Sequence, residues 1–349
     1  MASSPAPSGW PGWWLRRGLL SWTLSPLSLL FAGLTALRRA LYRAGVLRSQ
    51  AAGVPVVVVG NLTVGGAGKT PLIAALAQGL QQAGWRPGIV SRGYGRRVAG
   101  GDAPIQVEAH SDPALCGDEP VLLARLTGCP VVVGRRRAQA AQALRAARPE
   151  VDVILSDDGL QHLALARDIE LVVVDQRLWG NGFLLPAGPL RESPARSRDA
   201  TLGPEAVLRR IDGGGRHFAL QRGPGDFTHL SSGLSLSPPQ FVERIGGQPL
   251  GAVAGIGHPA QFFDMLRALG LSPQTRALGD HQPLAADALD GFPPACPVLL
   301  TEKDAIKSGA LPPDLRERFW VVGLRLQTPP DLLPWLQQRL EKARGLPTA

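Results

Sequence analysis

The sequence predicts an α/β fold with a mostly parallel sheet, followed by a second, smaller α/β domain. Short β-branched runs, such as 56–59 and 131–133, alternate with stretches of helical periodicity, such as 71–82. This alternation is typical of a parallel sheet that is covered by helices on both faces. The chain has 349 residues, which is enough for two domains and an additional segment.

The first element along the chain is an uncharged segment, residues 18–37, between the pairs Arg16-Arg17 and Arg38-Arg39. Tryptophans at positions 10, 13, 14 and 22 lie at or near its start. Twenty helical residues would cross a hydrocarbon core of about 30 Å, while indole rings favour the interface and arginines favour anionic headgroups. A cleaved signal peptide would need a small-residue cleavage site and an exported product, which conflicts with the nucleotide-binding motif described below. A helix of the protein core is possible, but it does not explain the flanking arginines and the tryptophans together. We therefore expect residues 1–50 to form a membrane-associated helix on an anionic membrane surface, either spanning the bilayer or lying on it.

The regular pattern stops near residues 213–233, where short polar pieces rich in Gly and Pro replace it. Strand patterns return afterwards at 250–255, 298–301 and 320–324, accompanied by helical patterns at 259–269 and 331–342. We place a domain boundary near residue 215. Residues 51–215 are then the first domain, and residues 216–349 are the second, with its hinge.

Composition narrows the class of partner. The formal net charge is +9, which suits an anionic membrane, a phosphorylated substrate or nucleic acid. The sequence has no RNA-binding signature, zinc finger or long Lys/Arg run, so a nucleic-acid partner is not expected. Its three cysteines form no CxxC pair, which argues against a disulfide framework or a structural zinc site.

The most specific feature is a glycine-rich segment, Thr63-Val-Gly-Gly-Ala-Gly-Lys-Thr70, between a predicted strand and a predicted helix. Backbone N–H groups at such a turn face phosphate oxygens, as in a P-loop. Lys69 would reach the β- and γ-phosphates of ATP, and the Thr70 hydroxyl would bind Mg²⁺. Thr63 stands where the usual pattern has glycine, and the Gly65-Gly66 pair would supply the flexibility instead. The residues expected to bind the nucleotide are Thr63, Val64, Gly65, Gly66, Ala67, Gly68, Lys69 and Thr70.

Acidic pairs provide candidate metal and proton-transfer groups. Asp157 and Asp158 end a strand pattern, where a P-loop protein needs carboxylates for Mg²⁺, although paired aspartates can also cap a helix. Asp118 and Glu119 precede a helical pattern, and either a base for a hydroxyl substrate or an N-cap would suit them. The pair Arg191-Glu192 would ordinarily be interpreted as a surface ion pair.

Taken together, the motifs occur in a fixed order. They are 61–71 around the P-loop, Ser91-Arg-Gly-Tyr-Gly95, Gly117-Asp-Glu-Pro120, Asp157-Asp-Gly-Leu-Gln-His162, Leu185-Pro-Ala-Gly-Pro-Leu-Arg-Glu192, Ala254-Gly-Ile-Gly-His-Pro259, Asp280-His281 and Thr301-Glu-Lys-Asp304. This series resembles the tetraacyldisaccharide 4′-kinase family of lipid A biosynthesis. The resemblance implies a P-loop NTPase-like first domain and transfer of the ATP γ-phosphate to the 4′-hydroxyl of a lipid-linked disaccharide 1-phosphate, giving lipid IVA. It also implies a location at the cytoplasmic face of the bacterial inner membrane.

The resemblance also implies roles for individual residues. Asp118 and His281 would form a dyad that activates the sugar hydroxyl, although a lone loop histidine is more often structural. Lys69 and Arg191 would stabilise the transferring phosphoryl group. Mg²⁺ would be positioned by Thr70, Glu119, Asp157, Asp158, Gln161 and Glu192.

One alternative belongs to a different class, a P-loop ATPase of the partitioning or metal-delivery type without a lipid acceptor. Such proteins usually carry a second lysine at the start of the loop, and Val64 occupies that position here. This difference favours the kinase.

Overall fold

The computed structural model describes residues 10–66, 68–94, 103–279, 282 and 284–345 of the chain. Its N-terminal part is a short 3₁₀ turn followed by two consecutive helices, α1 (Leu19–Thr23) and α2 (Ser25–Arg43). The predicted uncharged segment is thus interrupted near Leu24, with Pro26 in the first turn of α2, where proline is tolerated. In the part of the chain that is described, none of the helices combines the length and the apolar character that crossing a membrane requires.

Among the described residues, the first sheet has eight strands. They are β1 (Val56–Gly60), β2 (Pro87–Ser91), β3 (Ile105–Val107), β4 (Val131–Val133), β5 (Val153–Asp157), β6 (Ile169–Val173), β7 (Ala200–Gly203) and β8 (Arg216–Ala219). Their order across the sheet is β3-β4-β2-β5-β1-β6-β7-β8, and every pairing is parallel except that of β3 with β4. The mostly parallel sheet predicted from the sequence is therefore confirmed.

Helices cover both faces of this sheet. They are α3 (Lys69–Gln82), α4 (Pro113–Cys116), α5 (Asp118–Thr127), α6 (Arg137–Ala147) and α7 (Glu205–Leu208). The β1 valines alternate between the faces: Val57 and Val59 pack in one cluster with Leu72 of α3, and Val58 packs in the other with Leu144 of α6. Burial on both faces explains why β1 is a continuous valine run.

The second sheet has six strands within the described residues. They are β9 (Gln221–His229), β10 (Ser235–Leu236), β11 (Gly251–Ala254), β12 (Gln274–Ala277), β13 (Val298–Thr301) and β14 (Phe319–Gln327), in the order β10-β9-β14-β13-β11-β12. The helices of this region are α8 (Pro238–Ile245), α9 (Pro259–Ala268), α10 (Glu302–Ile306), α11 (Pro313–Arg316) and α12 (Leu332–Ala343). A second α/β unit is thereby confirmed.

Two elements beyond residue 215 lie with the first sheet. Strand β8 is its edge strand, and α12 packs Leu332, Leu336 and Leu340 into the same cluster as Leu72. The leucines recur every fourth residue, which places them on one face of α12. The division of the chain at residues 50 and 215 stays a prediction.

Candidate active site

The predicted phosphate-binding loop lies between β1 and α3, at the carboxyl end of the parallel strands. Gly68 has φ = +80°, a left-handed conformation that favours glycine, and α3 begins at the next residue, Lys69. Thr63 is buried and forms an antiparallel bridge with Leu190. A residue held in extended backbone by this bridge has no need of glycine, which explains the departure from the usual loop pattern.

Asn61 organises the inside of the loop, a role that the sequence analysis did not assign. Its side chain is fully buried; Nδ2 donates to the carbonyl of Gly65 at 2.9 Å, and Oδ1 accepts from the Lys69 ammonium at 3.3 Å. One side chain thus fixes both the curve of the loop and the position of its lysine.

The segment containing Arg191 is attached to the phosphate-binding loop through the backbone. The Arg191 N–H donates to the carbonyl of Leu62 at 2.7 Å, and the Val64 N–H donates to that of Pro189 at 2.9 Å. These two hydrogen bonds explain how residues more than 100 positions apart in sequence come to share one site.

Two cations converge on Asp158. The Lys69 ammonium lies 3.4 Å from one carboxylate oxygen of Asp158, and the Arg191 guanidinium lies 2.9 Å from the other. Burial opposes ionisation of this carboxyl, but Lys69 and Arg191 outweigh it and lower its pKa. Asp158 is therefore ionised and balances the charge of both cations.

Asp157 has a contrasting environment. It is almost fully buried; Oδ2 accepts a hydrogen bond from the Ser91 hydroxyl at 2.8 Å, while buried Oδ1 has no hydrogen-bond partner among the described residues. Burial, followed by the nearby charge of Glu119, raises the pKa of Asp157 to about 6. A buried carboxylate oxygen without a donor is well suited to a cation.

Glu192 and Gln161 form a network that reaches the N-terminal helix. The Gln161 side-chain amide donates to Oε1 of Glu192 at 2.9 Å, and Arg196 pairs with Oε2 at 2.6 Å. Arg39 of α2 also pairs with Oε2 of this buried glutamate, and Arg38 donates to the backbone carbonyl of Gln161 at 3.1 Å. Arg191 and Glu192 therefore do not form a simple surface ion pair with each other. Arg191 pairs with Asp158, and Glu192 pairs with Arg39 and Arg196.

Asp118 and Glu119 occupy the first turn of α5, next to the second unit. Gly117 has φ = +91°, and a side chain there would lie 2.8 Å from the Tyr94 carbonyl, so the position requires glycine. From α10 and the turn after it, Lys303 lies 3.6 Å from Glu119, and Lys307 lies 3.9 Å from Asp118. Both acidic residues therefore face cations of the second unit.

Three further residues surround the outside of the loop, and no local motif identified them. The Trp10 indole N–H donates to the carbonyl of Val64 at 2.9 Å, and Arg177 donates to that of Gly66 at 2.8 Å while lying over the Trp10 ring. Arg222 of β9 lies directly against the loop, since a side chain at Gly68 would overlap its guanidinium. Only tertiary structure brings these residues together.

The remaining candidates are placed as follows. Thr70 is the second residue of α3, while Ala67 and His281 lie outside the described residues. Asp304 is buried and accepts hydrogen bonds from the Gly255 N–H at 2.9 Å and the Thr301 hydroxyl at 2.6 Å, which is a structural role. Across the described ranges, no cluster of three or more His, Cys, Asp or Glu side chains forms a ready-made metal site.

The fold and the loop define a nucleotide-binding protein with two cations and two acidic pairs around its phosphate site, an arrangement typical of phosphotransferases. The family profile described as "Tetraacyldisaccharide-1-P 4'-kinase" matches residues 20–341. The chain therefore belongs to the tetraacyldisaccharide 4′-kinase family, and it is a kinase.

Individual relatives agree with this assignment. A tetraacyldisaccharide 4′-kinase from Acidovorax sp. (strain JS42) is 46% identical over 340 residues, covering 97% of this chain and 96% of the relative. One from Azoarcus sp. (strain BH72) is 48% identical over 312 residues, covering 87% and 88%. The crystal structure of the apo form of LpxK from Aquifex aeolicus in complex with ATP is 27% identical, with a TM-score of 0.75, and covers 93% of this chain and 99% of that one.

Proposed function

We propose that the protein transfers the γ-phosphate of ATP to the 4′-hydroxyl of a tetraacyldisaccharide 1-phosphate, giving lipid IVA. The observation that carries the proposal is the convergence of Lys69 and Arg191 on Asp158 beside the phosphate-binding loop. Without nucleotide, Asp158 balances these cations. When ATP binds, its β- and γ-phosphates compete for the same two side chains, which then stabilise charge on the transferring group.

Asp118 is the proposed base for the acceptor. The 4′-oxygen attacks the γ-phosphorus, the bond from this phosphorus to the β-γ bridging oxygen breaks, and the hydroxyl proton passes to Asp118. His281 is proposed as its dyad partner on the family resemblance alone. The Asp118 side chain is largely buried and lies in the first turn of α5, where it precedes Glu119.

The acidic residues suit Mg²⁺. Asp157 offers its unpartnered buried oxygen, and we propose that Asp158, Glu119 and the Thr70 hydroxyl complete the metal-binding side of the site. Mg²⁺ would supply charge neutralisation of the phosphates when bound. Gln161 and Glu192 contact each other, so we propose that they position the metal indirectly, through the network that includes Arg39.

The helix pair α1–α2 is proposed to lie on the anionic cytoplasmic face of the bacterial inner membrane. Leu19 is 84% exposed, Leu29 is 74% exposed, and Trp22 is exposed beside them. The other side of the pair is fixed to the protein: the Ser28 hydroxyl donates to the Leu184 carbonyl at 2.7 Å. An apolar surface on a helix held in this way suits peripheral insertion among lipid headgroups.

The proposal is tested with γ-labelled ATP, with and without the disaccharide 1-phosphate acceptor in neutral micelles. The wild-type protein should transfer label to the lipid, and Lys69→Ala should lower kcat at least about a hundredfold. Lys342→Ala, an exposed lysine on α12, is the matched control and should retain full turnover. Release of free phosphate with no labelled lipid would instead support the ATPase without a lipid acceptor.

A further inference from the structure

Successive backbone carbonyls of the phosphate-binding loop, those of residues 64–66, each accept a hydrogen bond from a side chain. In chain order, the donors are Trp10, Asn61 and Arg177, at 2.9, 2.9 and 2.8 Å. Asn61 is a neighbour of the loop in sequence, whereas Trp10 and Arg177 lie 54 and 111 positions from the carbonyls that they contact. Two distant parts of the chain therefore hold the outside of this loop.

The direction of these carbonyls affects how the loop presents its N–H groups. In a trans peptide, the C=O group of one residue and the N–H group of the next point in opposite directions. A donor that holds a carbonyl on the outside of the loop therefore keeps the attached N–H on the inside, where phosphate oxygens bind. Gly65 and Gly66 have no side chains to restrict their backbone, and Gly65 has φ = +94°. Donors outside the loop limit this freedom.

Arg177 is fixed on two further sides. Its Nη2 and Nε atoms donate to the Asp175 carboxylate at 2.6 Å and 3.1 Å, and its guanidinium lies 4.2 Å from the centre of the Trp10 ring. The ion pair is well shielded, with only 10% of the Arg177 side chain and 13% of the Asp175 side chain exposed. Because Asp175 balances its charge, the guanidinium is better suited to orienting a carbonyl than to replacing Lys69 as a phosphate ligand.

Trp10 is held equally firmly. It is only 6% exposed, and the Trp14 ring packs edge-on against it with 6.1 Å between the ring centroids. An indole N–H can donate but cannot accept, and its partner here is the loop carbonyl. As a neutral donor, Trp10 orients the loop without adding a charge that would draw phosphate to the outside.

Resting on the ATP site proposed above, we propose that Trp10 and Arg177 are positioning residues of the phosphate-binding loop, which hold it in the conformation that binds the phosphates of ATP. Each acts through a backbone carbonyl and not through contact with the nucleotide. The N-terminal segment then completes the nucleotide site, in addition to its proposed contact with the membrane.

The test compares Trp10→Phe and Arg177→Lys with the wild type. The first change removes the indole N–H but keeps an aromatic ring, and the second keeps the charge but loses the planar fork that reaches Asp175 and the loop together. Calorimetric titration of the full-length protein with Mg²⁺ and a non-hydrolysable ATP analogue should show at least about fivefold weaker binding in each variant. Inorganic tripolyphosphate, as a competitor of the analogue, should weaken by the same factor because it carries the phosphates without the base.

Trp14→Phe is the matched control for the first variant. Trp14 belongs to the same N-terminal segment and donates its indole N–H to the carbonyl of Pro186 at 3.2 Å, outside the phosphate-binding loop. The control thus loses the same type of hydrogen bond, and its affinity for the analogue should stay within about twofold of the wild type.

Arg344→Lys is the matched control for the second variant. Arg344 repeats the surroundings of Arg177, with its guanidinium 4.0 Å from the centre of the Trp85 ring and 3.0 Å from the Asp152 carboxylate. Asp152 immediately precedes β5, so this copy lies at the opposite end of the sheet from the loop. Thermal unfolding should show a loss of stability in both arginine variants, and only Arg177→Lys should lose affinity for the analogue.

Four outcomes would overturn the proposal or its basis, and they can be distinguished. Unchanged affinity in either test variant removes that residue from the positioning role. An equal loss in Trp14→Phe assigns the effect to attachment of the N-terminal segment as a whole. A loss for the analogue without one for tripolyphosphate places the altered side chain at the base and not at the phosphate-binding loop. A wild-type protein that does not bind the analogue refutes the ATP site itself, and with it the proposed function.

Discussion

The Lys307 ammonium lies 3.9 Å from the carboxylate of Asp118, and this contact joins the second unit to the proposed base of the first. Lys307 is itself held by Asp304 at 3.2 Å and by the carbonyl of Gly255 at 3.2 Å. Because its side chain is only 7% exposed, its charge is weakly screened. A cation of the second unit therefore helps to orient the carboxylate of Asp118.

We expect Lys307→Met to lower kcat about tenfold while changing the KM for ATP much less. The substitution keeps the volume of the side chain but removes the cation that holds the carboxylate, which then loses its alignment with the acceptor. Lys307→Arg should restore part of kcat. Steady-state kinetics over both substrates makes the measurement, with Lys342→Met as the exposed control; a loss confined to the KM for ATP would contradict the positioning role.

Asp157 gives the nucleotide-free protein a characteristic pH dependence of stability. Its pKa in the folded state, about 6, exceeds the ordinary value of about 4 that applies in the unfolded state. Between about pH 4 and pH 6, Asp157 is therefore protonated in the folded state and ionised in the unfolded state. The stabilisation is complete below about pH 4 and is lost as the pH rises through about 6. The free energy of unfolding should fall over this window by about 2 kcal/mol.

Denaturant unfolding at pH 4.5 and pH 7 measures this change, without Mg²⁺ or nucleotide. Asp157→Asn should abolish the slope that Asp157 contributes and should make the protein more stable than the wild type at pH 7. Asp264→Asn, at an exposed carboxyl on α9, is the control and should leave the slope intact. Equal slopes in Asp157→Asn and the wild type would refute the assignment.

Local sequence patterns were enough to predict parallel strands of the first sheet and the position of the glycine-rich loop. Strand β1 and helix α3 are encoded by a valine run and by helical spacing on either side of the glycines, and both were predicted within about two residues. Strand β9 was missed, because Gly223, Pro224 and Gly225 interrupt its strand pattern while its pairing partner, β14, lies about 100 residues away. Propensity cannot reveal a strand whose stability comes from a distant ladder.

The same limit applies to the site. Adjacent motif residues such as Lys69 and Thr70 could be recognised from the sequence, because neighbouring positions share one loop. The contact of Lys307 with Asp118 and that of Arg39 with Glu192 each join segments more than 150 residues apart. Only the packing of α10 on α5 and of α2 on the first unit creates them.

Charged substitutions on the exposed apolar surface of α2 should weaken the binding of the protein to membranes. Leu29→Glu/Leu30→Glu removes two exposed leucines, each worth about 1.5–3 kcal/mol on full burial in lipid, and adds charges that anionic headgroups repel. Sedimentation with anionic vesicles should show at least about a tenfold weaker partition. Leu324→Glu, at an exposed leucine of β14, should sediment like the wild type. Unaltered partition of the double variant would move the membrane contact away from α2.

Asn61 provides the sharpest test of the phosphate-binding loop. Asn61→Leu keeps the branching and the number of side-chain heavy atoms but leaves the Gly65 carbonyl without its donor and Lys69 without one of its acceptors. Losing a buried hydrogen bond costs about 1–3 kcal/mol, and here the cost falls on the conformation that holds phosphate, so ATP affinity should fall at least about tenfold. Asn181→Leu is the matched control: Asn181 is also buried, but its side chain donates to the carbonyls of Trp13 and Ala187, so its loss should lower the melting temperature and leave ATP affinity within about twofold. Calorimetric titration with a non-hydrolysable ATP analogue separates the two effects, and equal affinity in Asn61→Leu and the wild type would show that the loop holds its shape without this side chain.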